Sequence, residues 1–184
     1  PVDYVWYNRR TEYEQLLATK GPFDVFIVQP FGHVNSRAVD VEAAAAAQMF
    51  RRVLAGNPNA AMLVYQTWPN GAASYNTNTL YFDDGAFASN IQADFARYLE
   101  PVVDMLRLEF TNSPVYALPG GEAFVELYRR IQANGGAYGG FTNLSQIMDV
   151  GGNSVHPNRK GYYLSLMTHL SCLYQMTTAM QGLP

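Results

Sequence analysis

Short β-branched and aromatic runs, each set beside a stretch with helical spacing, narrow most sharply what this chain can fold into. Phe23 to Gln29, closed by Pro30, reads as a buried strand, and Ala61 to Gln66 and Pro114 to Leu118 read as two more. Ahead of the first, Tyr13, Leu16 and Leu17 give Arg10 to Lys20 a helical spacing that Gly21 stops. Ala38 to Ala55 joins the first two strands with an alanine-rich helix ended by Gly56-Asn57-Pro58. Phe87 to Phe110 carries an apolar stripe from Ile91 to Leu106, with Pro101 expected to bend it. Gly121 to Ala133 and Asn158 to Met180 read as the remaining helices, the latter mainly core, while Ala72 to Ala86 and Asn134 to Val155 read as long loops. Strands alternating with helices predict an α/β domain, a three-layer sandwich with a mostly parallel sheet covered on both faces.

Composition bounds the function classes. The 184 residues are 48% apolar and 14% aromatic, which supports a single domain over 1–184 with a sizeable core. Its 12 basic and 15 acidic residues are scattered, so no cationic footprint for nucleic acid is present. No apolar run approaches the roughly 18–20 residues of a membrane span. Cys172 is the single cysteine, so an intrachain disulfide is excluded, and its apolar surroundings predict a buried, inert thiol. A secreted or periplasmic location is the expectation, with Pro1 marking a processed or partial chain and any export signal lying upstream.

In parallel sheets ligands collect outside the carboxyl ends of the strands. Those ends carry Gln29 to Asn35, Trp68 to Ser74 and Pro119 to Glu122. The densest chemistry lies in Asn153-Ser154-Val155-His156-Pro157-Asn158-Arg159-Lys160-Gly161, where a histidine stands on a loop immediately before a helix. Held by the loop and the first turn, His156 is placed to act as a general base; a surface or helix-capping histidine is the plainer alternative. His33, His156 and His169 lack the spacing of a metal site, so no metal or other cofactor is expected. Gly120-Gly121-Glu122 lacks both the dinucleotide fingerprint and a phosphate-loop lysine. Trp68, Tyr75, Tyr81 and Phe82, interleaved with asparagines, form either a stacking platform for sugar rings or a packed loop.

The His-Pro-Asn-x-x-Gly-Tyr-Tyr segment, followed by an apolar helix, resembles the final block of the SGNH (GDSL-like) hydrolases. Phe23 to Phe31 is similar to the strand and turn of the family's third block, and Leu63 to Pro69 to a later strand end, so the resemblance spans most of Pro22 to Tyr174. It implies an SGNH/flavodoxin-like sandwich and a serine esterase or carbohydrate deacetylase acting on an ester or acetylated carbohydrate. His156 then matches the catalytic base. Asn153 stands where the family places the orienting aspartate, with Asp149 the nearest carboxylate able to substitute if the glycine loop folds back. Gln29, the Gly32 amide and Asn35 are the possible oxyanion donors, and Trp68 is the aromatic residue expected at the substrate. The family's Gly-Asp-Ser or Gly-Asn-Ser block is not found, and Ser36, Ser74 and Ser154 lack the setting that activates a nucleophile. The first strands are therefore expected from a missing N-terminal segment or a second chain, with self-association as a further outcome. The rival expectation is a non-catalytic descendant of the fold used for binding or assembly, including a polymeric or surface protein.

Overall fold

The computed structural model describes residues 2–30, 38–68, 75–76, 81–82, 84–151 and 154–174. In chain order the elements are α1 (Val2–Asn8), α2 (Arg10–Lys20), β1 (Val25–Val28), α3 (Val39–Gly56), β2 (Ala61–Tyr65), β3 (Tyr75–Asn76), β4 (Tyr81–Phe82), α4 (Asp84–Asp94), a π-helical turn (Phe95–Leu99), α5 (Glu100–Glu109), β5 (Val115–Leu118), α6 (Gly120–Ala133), a 3₁₀ turn (Leu144–Ile147), β6 (Met148–Gly151), β7 (Ser154–Pro157) and α7 (Arg159–Tyr174). The fold is mixed α/β, and its three longest-range strands form the expected parallel sheet. The residues group into two compact units, Pro1–Gln66 with Asp94–Leu118, and Thr67–Ala93 with Pro119–Pro184.

The first unit holds the sheet, ordered β1-β2-β5, with Val25 beside Ala61 and Met62 beside Val115 setting a parallel register throughout. Parallel strands need a crossover, and α3 supplies the one between β1 and β2. Phe26, Val28, Met62, Val64 and Val115 point to one face and join the core built with α1, α3 and α5. Val25, Ile27 and Tyr116 alternate to the other face and are exposed. On α3, Ala43, Ala46, Met49, Phe50 and Val53 are buried, the alanines letting α1 and α5 approach closely. Phe50 is fully buried, stacked on Phe26 at 6.2 Å and edge-on to Phe110 at 5.0 Å.

Helix α1 was not legible in the apolar spacing, because its two core residues, Val2 and Trp6, supply a single turn of pattern. Its anchor is aromatic and ionic. The guanidinium groups of Arg10 and Arg52 lie 4.8 and 4.4 Å from the Trp6 ring, and Glu14 accepts from both, at 2.8 and 3.0 Å. Hydrogen bonds from Arg10 and then Arg52 hold the Glu14 carboxyl below the usual carboxylate range. Tyr13 Oη donates to the Met49 carbonyl at 2.9 Å, and burial pushes the phenol well above the ordinary tyrosine value. Replacing Tyr13 with phenylalanine is expected to cost about 1 kcal/mol, read from the urea midpoint, because the α2–α3 bond is lost while the ring still packs. An unchanged midpoint would show that water satisfies the Met49 carbonyl equally well.

The expected single helix from Phe87 to Phe110 is in fact α4, the π-helical turn and α5. Pro101 has no amide hydrogen to donate and sits in the first turn of α5, directly after the wider π turn, so the chain accommodates it there.

In the second unit, Phe87, Ala88 and Ile91 of α4 meet Phe124 and Val125 of α6, with Leu144, Ile147 and Met148 closing the core. Phe124 is edge-on to Trp68 at 6.1 Å and to Phe87 at 6.3 Å. The expected loop from Ala72 to Ala86 contains the two-residue antiparallel ladder β3–β4 and the start of α4. The expected loop from Asn134 to Val155 is likewise structured. Tyr138 and Phe141 exchange backbone bonds of 2.8 and 2.9 Å across Gly139 and Gly140, whose φ values of 55° and 81° suit glycine. Helix α7 is less buried than its apolar sequence implies: Tyr162, Tyr163, Leu166, Leu173 and Tyr174 are exposed. Cys172 is exposed rather than buried, and partial desolvation pushes its thiol pKa up. No helix among the described residues is long and apolar enough to cross a membrane.

Candidate functional site

The segment that carries His156 is a strand, not the loop its glycines implied. β6 and β7 pair antiparallel with Met148 opposite Pro157, Asp149 opposite His156 and Val150 opposite Val155. Alternation decides which way the hairpin faces. Met148 and Pro157 are buried, with Met148 in the core of the second unit, and Asp149 and His156 on the opposite face are exposed. Pro157 fits because its ladder position needs no donor. The Asn158 amide donates to the Ile147 carbonyl at 2.9 Å, so the alternation of an antiparallel ladder makes Met148–Pro157 a non-hydrogen-bonded pair. By the same alternation Asp149 and His156 form a hydrogen-bonded pair, with Cα atoms about 5.5 Å apart.

Two polar ties fix this hairpin to its surroundings. Asp84 Oδ2 at the start of α4 accepts from the Leu144 amide at 2.6 Å. Asn143 and Gln146 close a reciprocal capping box around the 3₁₀ turn that leads into β6. After His156 and Pro157, Asn158 caps α7: its Oδ1 accepts from the amides of Lys160 at 2.9 Å and Gly161 at 3.3 Å. Its Nδ2 donates to the Gln146 carbonyl at 3.0 Å. Gly161 is where the helix meets the turn most closely. A Cβ there would overlap the Ile147 carbonyl oxygen and lie 2.8 Å from Pro157 Cβ.

A carboxylate that reaches an imidazole can orient the ring and stabilise it once it is protonated; here the two side chains share one exposed face, with no hydrogen bond or ion pair joining them. Of the residues expected at the site, the structure brings together His156 and Asp149. Trp68 lies in the same unit, half-buried, with its ring 6.3 Å from that of Tyr162 in the first turn of α7. Gln29 is exposed at the end of β1 in the first unit. Asn153, Gly32, Asn35, His33, Ser36 and Ser74 lie outside the described residues, as does Met180. Ser145 Oγ donates to Asn143 Oδ1 at 2.5 Å, and His169 Nδ1 donates to the Ser165 carbonyl one turn earlier at 2.6 Å. Among the described residues no group of three metal-binding side chains converges.

Capping of α7 by the His-Pro-Asn-x-x-Gly segment is readable in the sequence; the hairpin and the close packing of Gly161 on the turn are not. The signal is present: Met148-Asp149-Val150 and Val155-His156-Pro157 alternate apolar with polar residues, separated by the four turn-forming residues Gly151-Gly152-Asn153-Ser154. Set against protein-family models, curated proteins and solved structures, the chain matches none of them.

Proposed function

We propose that this chain carries the acid–base half of an SGNH-like serine ester hydrolase, acting on an ester or acetylated carbohydrate, with its nucleophile on a segment outside these residues. The observation that carries the reading is the register that sets Asp149 opposite His156 on the exposed face of the hairpin. In this mechanism a serine hydroxyl attacks the ester carbonyl, and His156 takes its proton and returns it to the departing alkoxide. Asp149, a charged group where Asn153 offers only an amide, holds the ring and stabilises the imidazolium. Trp68, in the same unit as the pair, is the proposed wall for a sugar ring. Among the described residues β1 is paired on one side only, by β2, which leaves an edge where a further strand can add.

A binding or assembly role is the second reading. Asn158 and Gly161 account for much of the His-Pro-Asn-x-x-Gly segment by capping and close packing alone, and exposed apolar residues on β1, β5 and α7 give a partner somewhere to bind.

The test is a fluorophosphonate probe applied to the natural protein, with intact mass and N-terminal sequencing of everything that co-purifies. The hydrolase reading expects label on a serine-bearing segment, at a rate lowered about a hundredfold by His156→Ala. If this chain is found alone and nothing labels, the hydrolase reading fails and the assembly reading stands.

A further inference from the structure

A helix cap needs only an acceptor, and Asn158 Oδ1 meets that need for α7. Its carbonyl also serves the helix, accepting from the Tyr162 amide at 2.8 Å, but its two donors do not. Nδ2 donates to the Gln146 carbonyl at 3.0 Å, and the backbone amide donates to the Ile147 carbonyl at 2.9 Å. Both acceptors lie in the turn that enters β6, so these bonds tie the end of the His156 strand to the start of the Asp149 strand. From these observations we infer that Asn158 is a positioning residue: beyond capping α7, it locks the register in which Asp149 faces His156.

Register matters here because side chains alternate. A slip of one residue would move one member of the pair to the face where Met148 and Pro157 are buried, and the carboxylate and imidazole would no longer share a face. The tight approach of Gly161 to Ile147 holds the same junction from the helix side, but it constrains backbone spacing rather than pairing. The inference rests on the hydrolase reading for what the pair accomplishes and on the hydrogen bonds alone for how it is placed.

Serine and aspartate both retain a capping acceptor and both remove the Nδ2 donor, so they separate the two roles. In Asn158→Ser and Asn158→Asp, hydrogen exchange followed by NMR on the full chain should show the Asp149 amide exchanging about tenfold faster than in the parent. The amides of Leu164 to Thr168 should stay within about threefold, and the close Hα–Hα contact between Met148 and Pro157 should weaken. Asn158→Ala should loosen hairpin and helix together. Unchanged hairpin exchange in the serine and aspartate variants would overturn the inference. So would equal loosening of hairpin and helix in both, which is the mark of a cap alone, or failure of both variants to fold. Fluorophosphonate labelling reads the hydrolase question separately: no serine label with the hairpin result intact removes the reaction and keeps the positioning role.

Discussion

Replacing Gly161 with alanine is expected to destabilise the protein by about 2–3 kcal/mol, even though the position is helical. Intrinsic propensity argues the other way, since alanine in a helix is favoured over glycine by about 1 kcal/mol. The two effects have opposite signs, so the geometry decides. The added Cβ would overlap the Ile147 carbonyl oxygen and lie 2.8 Å from Pro157 Cβ. Neither atom is at the end of a flexible side chain, so relief requires α7 to move off the turn, breaking the Asn158 bonds to Gln146 and Ile147. Urea denaturation followed by circular dichroism measures the result. A stabilised Gly161→Ala protein would mean that helix propensity outweighs the contact between helix and turn.

The largest loss is expected for Phe50→Ala, at about 4 kcal/mol. Phe50 has 0% of its surface exposed and touches aromatic partners on two sides, Phe26 from the sheet and Phe110 beyond α5. Truncation removes both ring contacts and leaves a cavity against main-chain elements that cannot readily close it. Phe50→Leu retains most of the volume and should cost about 1.5 kcal/mol. The ratio between the two substitutions is the informative quantity. If both cost the same, the aromatic geometry matters more than the volume, and the cavity argument fails.

The parallel sheet was legible because its strands are the densest apolar runs in the chain and buried strands need little else to declare themselves. Val25–Val28, Ala61–Tyr65 and Val115–Leu118 all fall inside the segments that composition marked. The hairpin was not, because Gly151 and Gly152 dominate its neighbourhood and four-residue strands supply only two alternations each. His156 could be singled out by type and position, whereas its partner depended on a fold-back that only pairing register decides. Asp149 is a candidate partner in the sequence only if the glycine loop folds back, and the structure pairs it with His156 in the ladder. The exposure of α7 was missed for a different reason. Its sequence is apolar on every side, and such a pattern does not say which side is covered.

The two tryptophans of the chain fall one in each compact unit, in unlike surroundings. Trp6 is nearly dry, at 7% exposed, and lies beside two guanidinium groups, while Trp68 is half-buried among aromatic ring edges. The molecule thus contains its own pair of optical reporters. With one indole replaced by phenylalanine, the emission of the other follows the loosening of its own unit, so the order in which the halves melt becomes readable without any added dye.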